Sequence, residues 1–174
     1  GRETLSLAAH DGILWEATPD GVRRLVNGVW EMFPLVFERV RVTGGELYGM
    51  AENRLHRWSG SAWTSLNPPL DSGPSIRDVE AFEGTFSVST QSGLIRWQAG
   101  AGGIARRVLP PGPPLDGVYS GVAAVGSGTL WAATSEQDLG LIRFDGSRWI
   151  QDDQGMQREW TLAMLADRED NVWL

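Results

Sequence analysis

The sequence predicts an all-β protein built from repeated four-stranded antiparallel sheets, and three recurring signals support this. One signal is an aromatic residue after a turn glycine, the next is a short group that ends in arginine, and the last is a tryptophan further on. The aromatic falls at Trp15, Tyr48, Phe86, Trp131 and Trp173, the arginine at Arg24, Arg57, Arg96 and Arg143, and the tryptophan at Trp30, Trp63 and Trp149. The aromatic signals are roughly 33 to 45 residues apart, close to the period of β-propeller blades.

The first copy shows how one unit divides into strands. Its strands are predicted at Thr4–Ala9, Ile13–Thr18, Val22–Val26 and Val29–Phe33. The turns between them include Asp11-Gly12 and Asn27-Gly28, and such pairs favour the positive φ angles of type I′ hairpins. Runs of β-branched and aromatic residues between turns of this kind indicate an antiparallel meander.

The remaining copies follow the same plan with looser turns. The second turns at Gly44-Gly45 and Ser59-Gly60, and the third at Glu83-Gly84 and at Gln91–Gly93. The fifth copy begins near Trp160, where a window to residue 166 has helical propensity but occupies the slot of a first strand. The predicted blades are 3–34, 37–67, 75–109, 118–151 and a partial blade at 159–174, in one domain that spans 1–174.

Both ends of the chain carry the same two strand slots, so they duplicate rather than complement each other. We therefore expect an arc of a larger β-propeller, about four blades and the start of a fifth. The ring would be completed by further blades or by a second chain, because open sheet edges invite pairing.

Composition narrows the classes of function. The net charge of -7 argues against a nucleic-acid partner, since a phosphate backbone requires clustered positive charge. The absence of cysteine excludes disulfides and thiolate metal sites. No run approaches the ~18 apolar residues of a membrane span, so a span is expected only outside this segment.

The repeat resembles a known family. Leu162–Leu174 is similar to the first half of the two-component-regulator propeller repeat, and Leu130–Thr134 with Gly140–Asp145 is similar to its second half. The resemblance covers nearly the whole chain. It implies a β-propeller from the periplasmic sensor region of a bacterial hybrid histidine kinase or a related signalling protein.

The remaining motifs favour structural roles. Asp145–Trp149 resembles the Asp-box of sialidase-like propellers and predicts a hairpin. Asp167–Asn171 has the alternating oxygen ligands of a calcium loop, but it lacks the glycine at the sixth position and is better explained as an exposed turn. His10 and His56 share no motif. No catalytic residue, cofactor or metal site is therefore predicted, and G-x-S-x-G is absent.

Candidate binding residues lie where the first strands of the copies begin, because ligands of propellers usually meet the mouth of the channel. Tyr119 and Trp160 are expected to be the most exposed aromatics. The weak candidates are Glu38, Arg39, Arg77, Asp78, Tyr119 and Trp160.

Two classes of function remain open, together with a structural propeller that has no ligand. The first is a non-enzymatic sensor or interaction domain, periplasmic or extracellular, that binds a small molecule, a glycan or a protein and signals through a module outside this segment. The alternative is an enzyme, either a propeller lyase of the virginiamycin-lyase kind or a polysaccharide-active one.

Overall fold

All secondary structure in the described part of the chain is β-strand. The computed structural model describes residues 3–66, 75–82, 84–90, 93–99, 105–108, 119–125, 129–134, 140–151, 164–167 and 169–174, with the backbone alone at 97–99 and 105–108. No described segment forms a helix long and apolar enough to cross a membrane. The chain forms two compact units, Gly1–Gly73 and Pro74–Leu174.

The first unit contains two four-stranded antiparallel sheets. In each sheet, strands that are consecutive in the chain are neighbours. The strands are β1 (Ser6–His10), β2 (Ile13–Thr18), β3 (Gly21–Val26), β4 (Val29–Phe33), β5 (Arg39–Thr43), β6 (Glu46–Ala51), β7 (Arg54–Trp58) and β8 (Trp63–Ser65).

The second unit contains two more sheets of four strands and one of two strands. The third and fourth sheets repeat the meander of the first two, and the last sheet has only the first two strand slots. The strands are β9 (Ile76–Phe82), β10 (Thr85–Thr90), β11 (Gly93–Ala99), β12 (Ala105–Val108), β13 (Tyr119–Val125), β14 (Thr129–Thr134), β15 (Leu141–Phe144), β16 (Trp149–Gln151), β17 (Leu165–Ala166) and β18 (Val172–Trp173). The predicted fold class, an all-β chain of four-stranded antiparallel sheets, is confirmed. The segment up to residue 166 has helical propensity but is predicted to occupy the slot of a first strand. At Leu165–Ala166 it forms strand β17, so a helix there is wrong.

The tight hairpins of the first sheet have the predicted backbone. Asp11 and Gly12 have φ angles of 51° and 74°, and Asn27 and Gly28 have 50° and 78°. Two successive positive φ angles are those of a type I′ turn, whose twist matches the flanking strands. The strand bounds Ile13–Thr18 and Val29–Phe33 agree with the sequence prediction.

A hairpin threonine sets the register of the first and third sheets. The hydroxyl groups of Thr18 and Thr90 donate to the carbonyl oxygens of Gly21 and Gly93, both at 2.8 Å. Counting back three residues from each threonine reaches Trp15 in the first sheet and Ser87 in the third.

The repeated arginine pairs with the same second-strand position in all four of the four-stranded sheets. Its partners on the second strand are Trp15, Tyr48, Ser87 and Trp131. Ser87 therefore occupies the tryptophan slot of the third sheet, and the assignment of Phe86 to that slot is wrong by one residue. Because side chains alternate along a strand, Phe86 lies on the opposite face of its sheet.

Each four-stranded sheet has two distinct faces. We call the face that carries Trp15, Tyr48, Ser87 or Trp131 the tryptophan face, and the face that carries Leu14, Leu47, Phe86 or Leu130 the leucine face. In the first unit, the tryptophan face of the first sheet packs on the leucine face of the second. The ring of Trp15 lies 4.9 Å from that of Trp58 and 5.5 Å from that of Trp63.

The second unit stacks its sheets in the same order. Leu94, on the tryptophan face of the third sheet, joins a core cluster formed by the leucine face of the fourth, including Val122, Leu130 and Trp149. The tryptophan face of the fourth sheet in turn packs Ala123, Ala133 and Trp131 against Met164, Ala166 and Val172. Within each unit, successive sheets therefore bury a tryptophan face against a leucine face.

The repeated arginines make a shared contact in two of the four sheets. Arg24 lies 5.4 Å from the ring centre of Trp58 on the next sheet, and Arg96 lies 4.9 Å from that of Phe144. Arg57 instead bonds Glu46 at 3.4 Å, and Arg143 lies over Trp131 of its own sheet. The contacts of the repeated arginine therefore differ between sheets.

First strands adjoin first strands within each unit. Strand β1 contacts β5, and β9 contacts β13. In the first unit the hydroxyl of Ser6 donates to the carbonyl oxygen of Val40 at 3.1 Å. This places the first strands next to one another within each unit.

Candidate functional site

Two of the predicted binding residues lie where β5 begins in the first unit. Glu38 is exposed, and its backbone N–H donates to the carbonyl oxygen of Met50 at 2.8 Å. Arg39 is half-buried and pairs with Met50 in the ladder between β5 and β6. These two residues are therefore fixed by strand pairing at the edge of the second sheet.

The candidates of the second unit are divided between surface and core. Arg77 is exposed, whereas Asp78 is fully buried and its carboxylate accepts from the N–H groups of Val79 and Val122 at 3.0 and 3.3 Å. Asp78 thereby joins β9 to β13. Tyr119 is also fully buried, in the core of the fourth sheet, so the expectation that it is exposed is wrong. Trp160 lies outside the described residues.

A cavity of about 390 Å³ opens beside Glu38 in the first unit. Its size lies in the range of small-molecule sites. One wall comes from the segment that links the first sheet to the second, and the other from the turn between β6 and β7. The lining residues are Pro34, Leu35, Val36, Phe37, Glu38, Ala51, Glu52, Arg54 and His56.

Gly49 makes the aromatic side of this cavity possible. A Cβ atom on Gly49 would meet the Phe37 ring at 2.3 Å, well inside van der Waals contact. The equivalent positions in the other three four-stranded sheets, those paired in the same register, are Glu16, Val88 and Ala132. Only the second sheet therefore has room at this position for an aromatic ring from the preceding linker.

Charged groups surround the opening. The carboxylate of Glu38 accepts from the N–H of Glu52 at 3.3 Å. Glu52 itself has a φ angle of 50°, in the left-handed region that most residues avoid. Arg54 is exposed, and among the described residues no carboxylate lies within ion-pair distance of its guanidinium group. The opening thus presents two carboxylates and one cation that is available to a ligand.

His56 supplies a neutral polar group to the cavity. Burial lowers the pKa of His56, and the nearby positive charge of Arg54 lowers it further, so the imidazole is uncharged at neutral pH. Its ring lies 5.2 Å from that of Phe37, and its Nδ1 atom is buried without a protein partner. A buried nitrogen without a partner costs free energy, and at this depth it belongs to the wall of the cavity rather than to its open surface.

Sequence reasoning included Glu38 but missed the rest of the cavity. Arg54 stands where the other three four-stranded sheets have a glycine at the end of the same hairpin, namely Gly21, Gly93 and Gly140. His56 likewise replaces Arg23, Ile95 and Ile142. Comparison of the copies in register would have singled out both residues, because they are where the second copy differs.

The two acidic motifs of the second unit form turns. The Asp145 carboxylate accepts from the N–H groups of Ser147 and Arg148, each at 2.9 Å, as the hairpin prediction requires. The Asp167 carboxylate accepts from the backbone N–H groups of Glu169 and Asn171 and from the indole of Trp173. Within the residues that the structure describes, no group of three or more His, Cys, Asp or Glu side chains is arranged to hold a metal ion.

Comparison with solved structures identifies the fold. The chain is similar to the extracellular domain of a hybrid two-component system protein from B. thetaiotaomicron, with a TM-score of 0.72, 17% identity and coverage of 98% of this chain and 25% of the other. It is also similar to virginiamycin B lyase from Staphylococcus aureus, with a TM-score of 0.74, 14% identity and coverage of 98% and 62%. A third match is YCF48 bound to D1 peptide, with a TM-score of 0.61, 18% identity and coverage of 99% and 60%.

These matches show a β-propeller fold, and the resemblance to propeller repeats of two-component regulators is supported at the level of that fold. The chain spans a quarter of the first neighbour and less than two thirds of the other two. No family model matches the sequence. No curated protein matches it either.

Proposed function

We propose that this chain is a non-enzymatic sensor or interaction segment of a periplasmic or extracellular β-propeller protein. The segment binds a small molecule through the cavity beside Glu38. It serves a signalling module elsewhere in a longer protein. The observation that carries the proposal is the cavity itself, with the exposed guanidinium group of Arg54 at its rim. The extracellular domain of a hybrid two-component system protein is a structural neighbour, which favours this location and role.

The cavity is suited to a ligand that has both an apolar and a polar part. Phe37 is buried and Leu35 half-buried, and they form an apolar side, while Arg54 and the two glutamates form a charged rim. A ring or alkyl group would displace water from the apolar side, which is favourable. A polar group on the same molecule would then reach the rim.

A thermal-shift screen of the 174-residue chain against glycans, amino acids and small carboxylic acids tests this proposal. We expect at least one compound to raise the melting temperature, because a ligand that binds only the folded state stabilises it. Arg54→Ala and Val36→Glu should abolish the shift, and Val29→Glu, at an exposed position outside the cavity, should preserve it. A compound whose shift survives both cavity variants binds elsewhere and contradicts the proposal, as does a screen without any shift.

The lyase neighbours favour a second candidate function, lyase activity on virginiamycin B, since the chain matches virginiamycin B lyase over 98% of its length. The test is to incubate the protein with virginiamycin B, with and without Mg²⁺, and to follow the substrate by liquid chromatography and mass spectrometry. Loss of the substrate that requires the protein would support the enzyme, and an unchanged substrate peak would rule out this activity for the chain.

A further inference from the structure

The leucine face of the first sheet is apolar and open to solvent. Leu7 is 57% exposed, Met32 43%, and Leu14 and Trp30 37% each. These side chains share one face, because the ladder pairs Leu14 with Leu25, Leu25 with Trp30, and Arg23 with Met32. Contiguous exposed apolar surface of this kind marks an interaction site in soluble proteins.

The positions equivalent to Leu7 and Leu14 are buried in the second and fourth sheets. Leu7 corresponds to Val40 and Val122, because each pairs with the second-strand residue that directly follows Trp15, Tyr48 or Trp131. Val40 and Val122 are 3% and 0% exposed. Leu14 corresponds to Leu47 and Leu130, which are 0% and 4% exposed.

Trp30 shows most directly what covers such a face. It corresponds to Trp63 and Trp149, since each pairs across the last hairpin with the residue that follows the repeated arginine. Trp149 is only 4% exposed, and Trp63 packs edge-on against Trp15, which belongs to the tryptophan face of the preceding sheet. The partner that fits Trp30 is therefore a tryptophan face of another sheet.

The chain also exposes a tryptophan face. Leu165 and Trp173 are paired on the two-stranded sheet and are 60% and 61% exposed. They correspond to Ala123 and Trp131, which are paired in the fourth sheet and packed against the sheet that follows. The indole Nε1 of Trp173 donates to the Asp167 carboxylate at 2.7 Å, so the ring is held in place before any partner arrives.

The polar groups at the centre of the exposed leucine face are already paired. Arg23 bonds the Glu16 carboxylate at 2.6 Å, and its guanidinium carbon lies 4.4 Å from the ring centre of Trp30. The side chains are already largely out of water, at 5% exposed for Glu16 and 16% for Arg23, so covering this face would remove little further hydration from the pair.

We propose that the chain associates head to tail, with the Leu165–Trp173 surface of one copy covering the Leu7–Leu14–Trp30–Met32 surface of a second copy. The contact reproduces between two molecules the packing that joins successive sheets within each unit. Trp173 takes the place of Trp15, and Trp30 takes the place of Trp63. The contact is heterologous, so it propagates to a ring or a filament unless it is capped. This inference is independent of the proposed ligand site.

Sedimentation velocity of the 174-residue chain over a range of concentrations tests the proposal. We expect the average mass to rise with concentration beyond that of a monomer. Trp30→Glu and Trp173→Glu should each give a monomer, because each removes one half of the contact. Val29→Glu is the matched control for the first variant, since Val29 is 65% exposed and adjacent to Trp30 on β4, and it should associate like the unmodified chain.

Mixing the two monomeric variants gives the decisive measurement. Each retains the half that the other lacks, so the mixture should form a dimer of one copy of each and nothing larger. Circular dichroism of each variant confirms that it is folded. A monomeric unmodified chain at all concentrations would overturn the proposal, as that result leaves these faces for the sheets of a longer protein. Dimers of the Trp173→Glu variant alone would also overturn it, because they require leucine face to pair with leucine face.

Discussion

Glu16 is a charged residue in an almost fully buried position. Its side chain is 5% exposed, and that of its partner Arg23 is 16% exposed. The hydrogen bond from Arg23 lowers the pKa of Glu16 in spite of the opposing effect of burial, and a hydrogen bond from the Thr4 hydroxyl lowers it further. The carboxylate is thus held in its charged form by two donors.

We predict that Glu16→Gln reduces the free energy of unfolding by about 1–3 kcal/mol, the usual cost of leaving a buried polar or charged group poorly paired. Urea denaturation monitored by circular dichroism measures the change. The matched control is Glu31→Gln, which breaks the exposed Arg24–Glu31 pair and should cost no more than about 0.5 kcal/mol. Equal costs for the two variants would show that burial does not strengthen the first pair.

Two turn aspartates make stability depend on pH. Backbone and side-chain hydrogen bonds lower the pKa of Asp145 to about 2, and those from Asn171 and Trp173 lower the pKa of Asp167 to about 2. Because these pKa values are lower in the folded state, the stability the carboxylates contribute is present above the ordinary value of 3.8 and is lost as pH falls through about 2.

We therefore predict that the urea midpoint of the unmodified chain falls between pH 5 and pH 2. Asp145→Asn and Asp167→Asn should each flatten this dependence, because the amide oxygen still accepts hydrogen bonds but does not titrate. Urea titrations at several pH values in this range measure the slope. A double variant with the slope of the unmodified chain would contradict the assignment.

At the scale of the elements, the second sheet depends on a glycine in the middle of a strand. Gly49 lies on β6, and the Phe37 ring covers it so closely that no side chain fits. The ring is 1% exposed and is also part of the core between the first and second sheets. The same contact therefore packs the first unit and shapes one side of the cavity.

Gly49→Ala is predicted to destabilise the chain by about 1–3 kcal/mol, the usual cost of overpacking a core. Phe37→Leu should be destabilising alone, because it leaves a void, but the double variant should be more stable than the sum of the two changes predicts. A thermodynamic cycle from urea denaturation of the four proteins measures this coupling. Additive effects would mean that the ring moves away from residue 49 at little cost.

The sequence was sufficient for the elements whose turns carry their own signal. The bounds of β2 and β4 follow from the Asp11-Gly12 and Asn27-Gly28 pairs, since local backbone preference determines such hairpins. The sequence was insufficient to predict which face of the sheet carries Phe86. An aromatic residue one position away from the repeat position resembles the repeat, and only the strand pairing shows the difference. Register is a property of two strands, and one strand alone does not reveal it.

The candidate site illustrates the same limit between elements. Glu38 was predicted from its place before a first strand, whereas the contact of Phe37 with Gly49 joins residues of different strands and linkers. Tyr119 was expected at the surface because it lies where a first strand begins, yet its side chain packs into the core of the fourth sheet. Whether an aromatic side chain at the start of a strand is buried depends on the neighbouring sheet. The residues around it in the sequence do not determine how that sheet packs.

At the scale of the whole molecule, the charge limits the choice of partners. The chain has 22 acidic and 15 basic residues, and all the basic residues are arginine. We predict that it does not bind nucleic acid, because the phosphate backbone would be repelled by the net charge of -7. Fluorescence anisotropy of a labelled duplex in roughly 50 mM salt should stay constant as protein is added. A rise in anisotropy that higher salt reverses would contradict this prediction.

The serine at position 87 has a consequence for folding. Proteins made of similar repeats are prone to pair a strand with the wrong copy, and such exchange traps them in misassembled states. Strand β10 could replace the second strand of another sheet with Thr90 aligned to the hairpin threonine. Ser87 would then leave the space of a tryptophan unfilled. A slip of one residue would restore an aromatic but turn every other side chain of the strand to the wrong face. Strand β10 therefore packs well only in the third sheet.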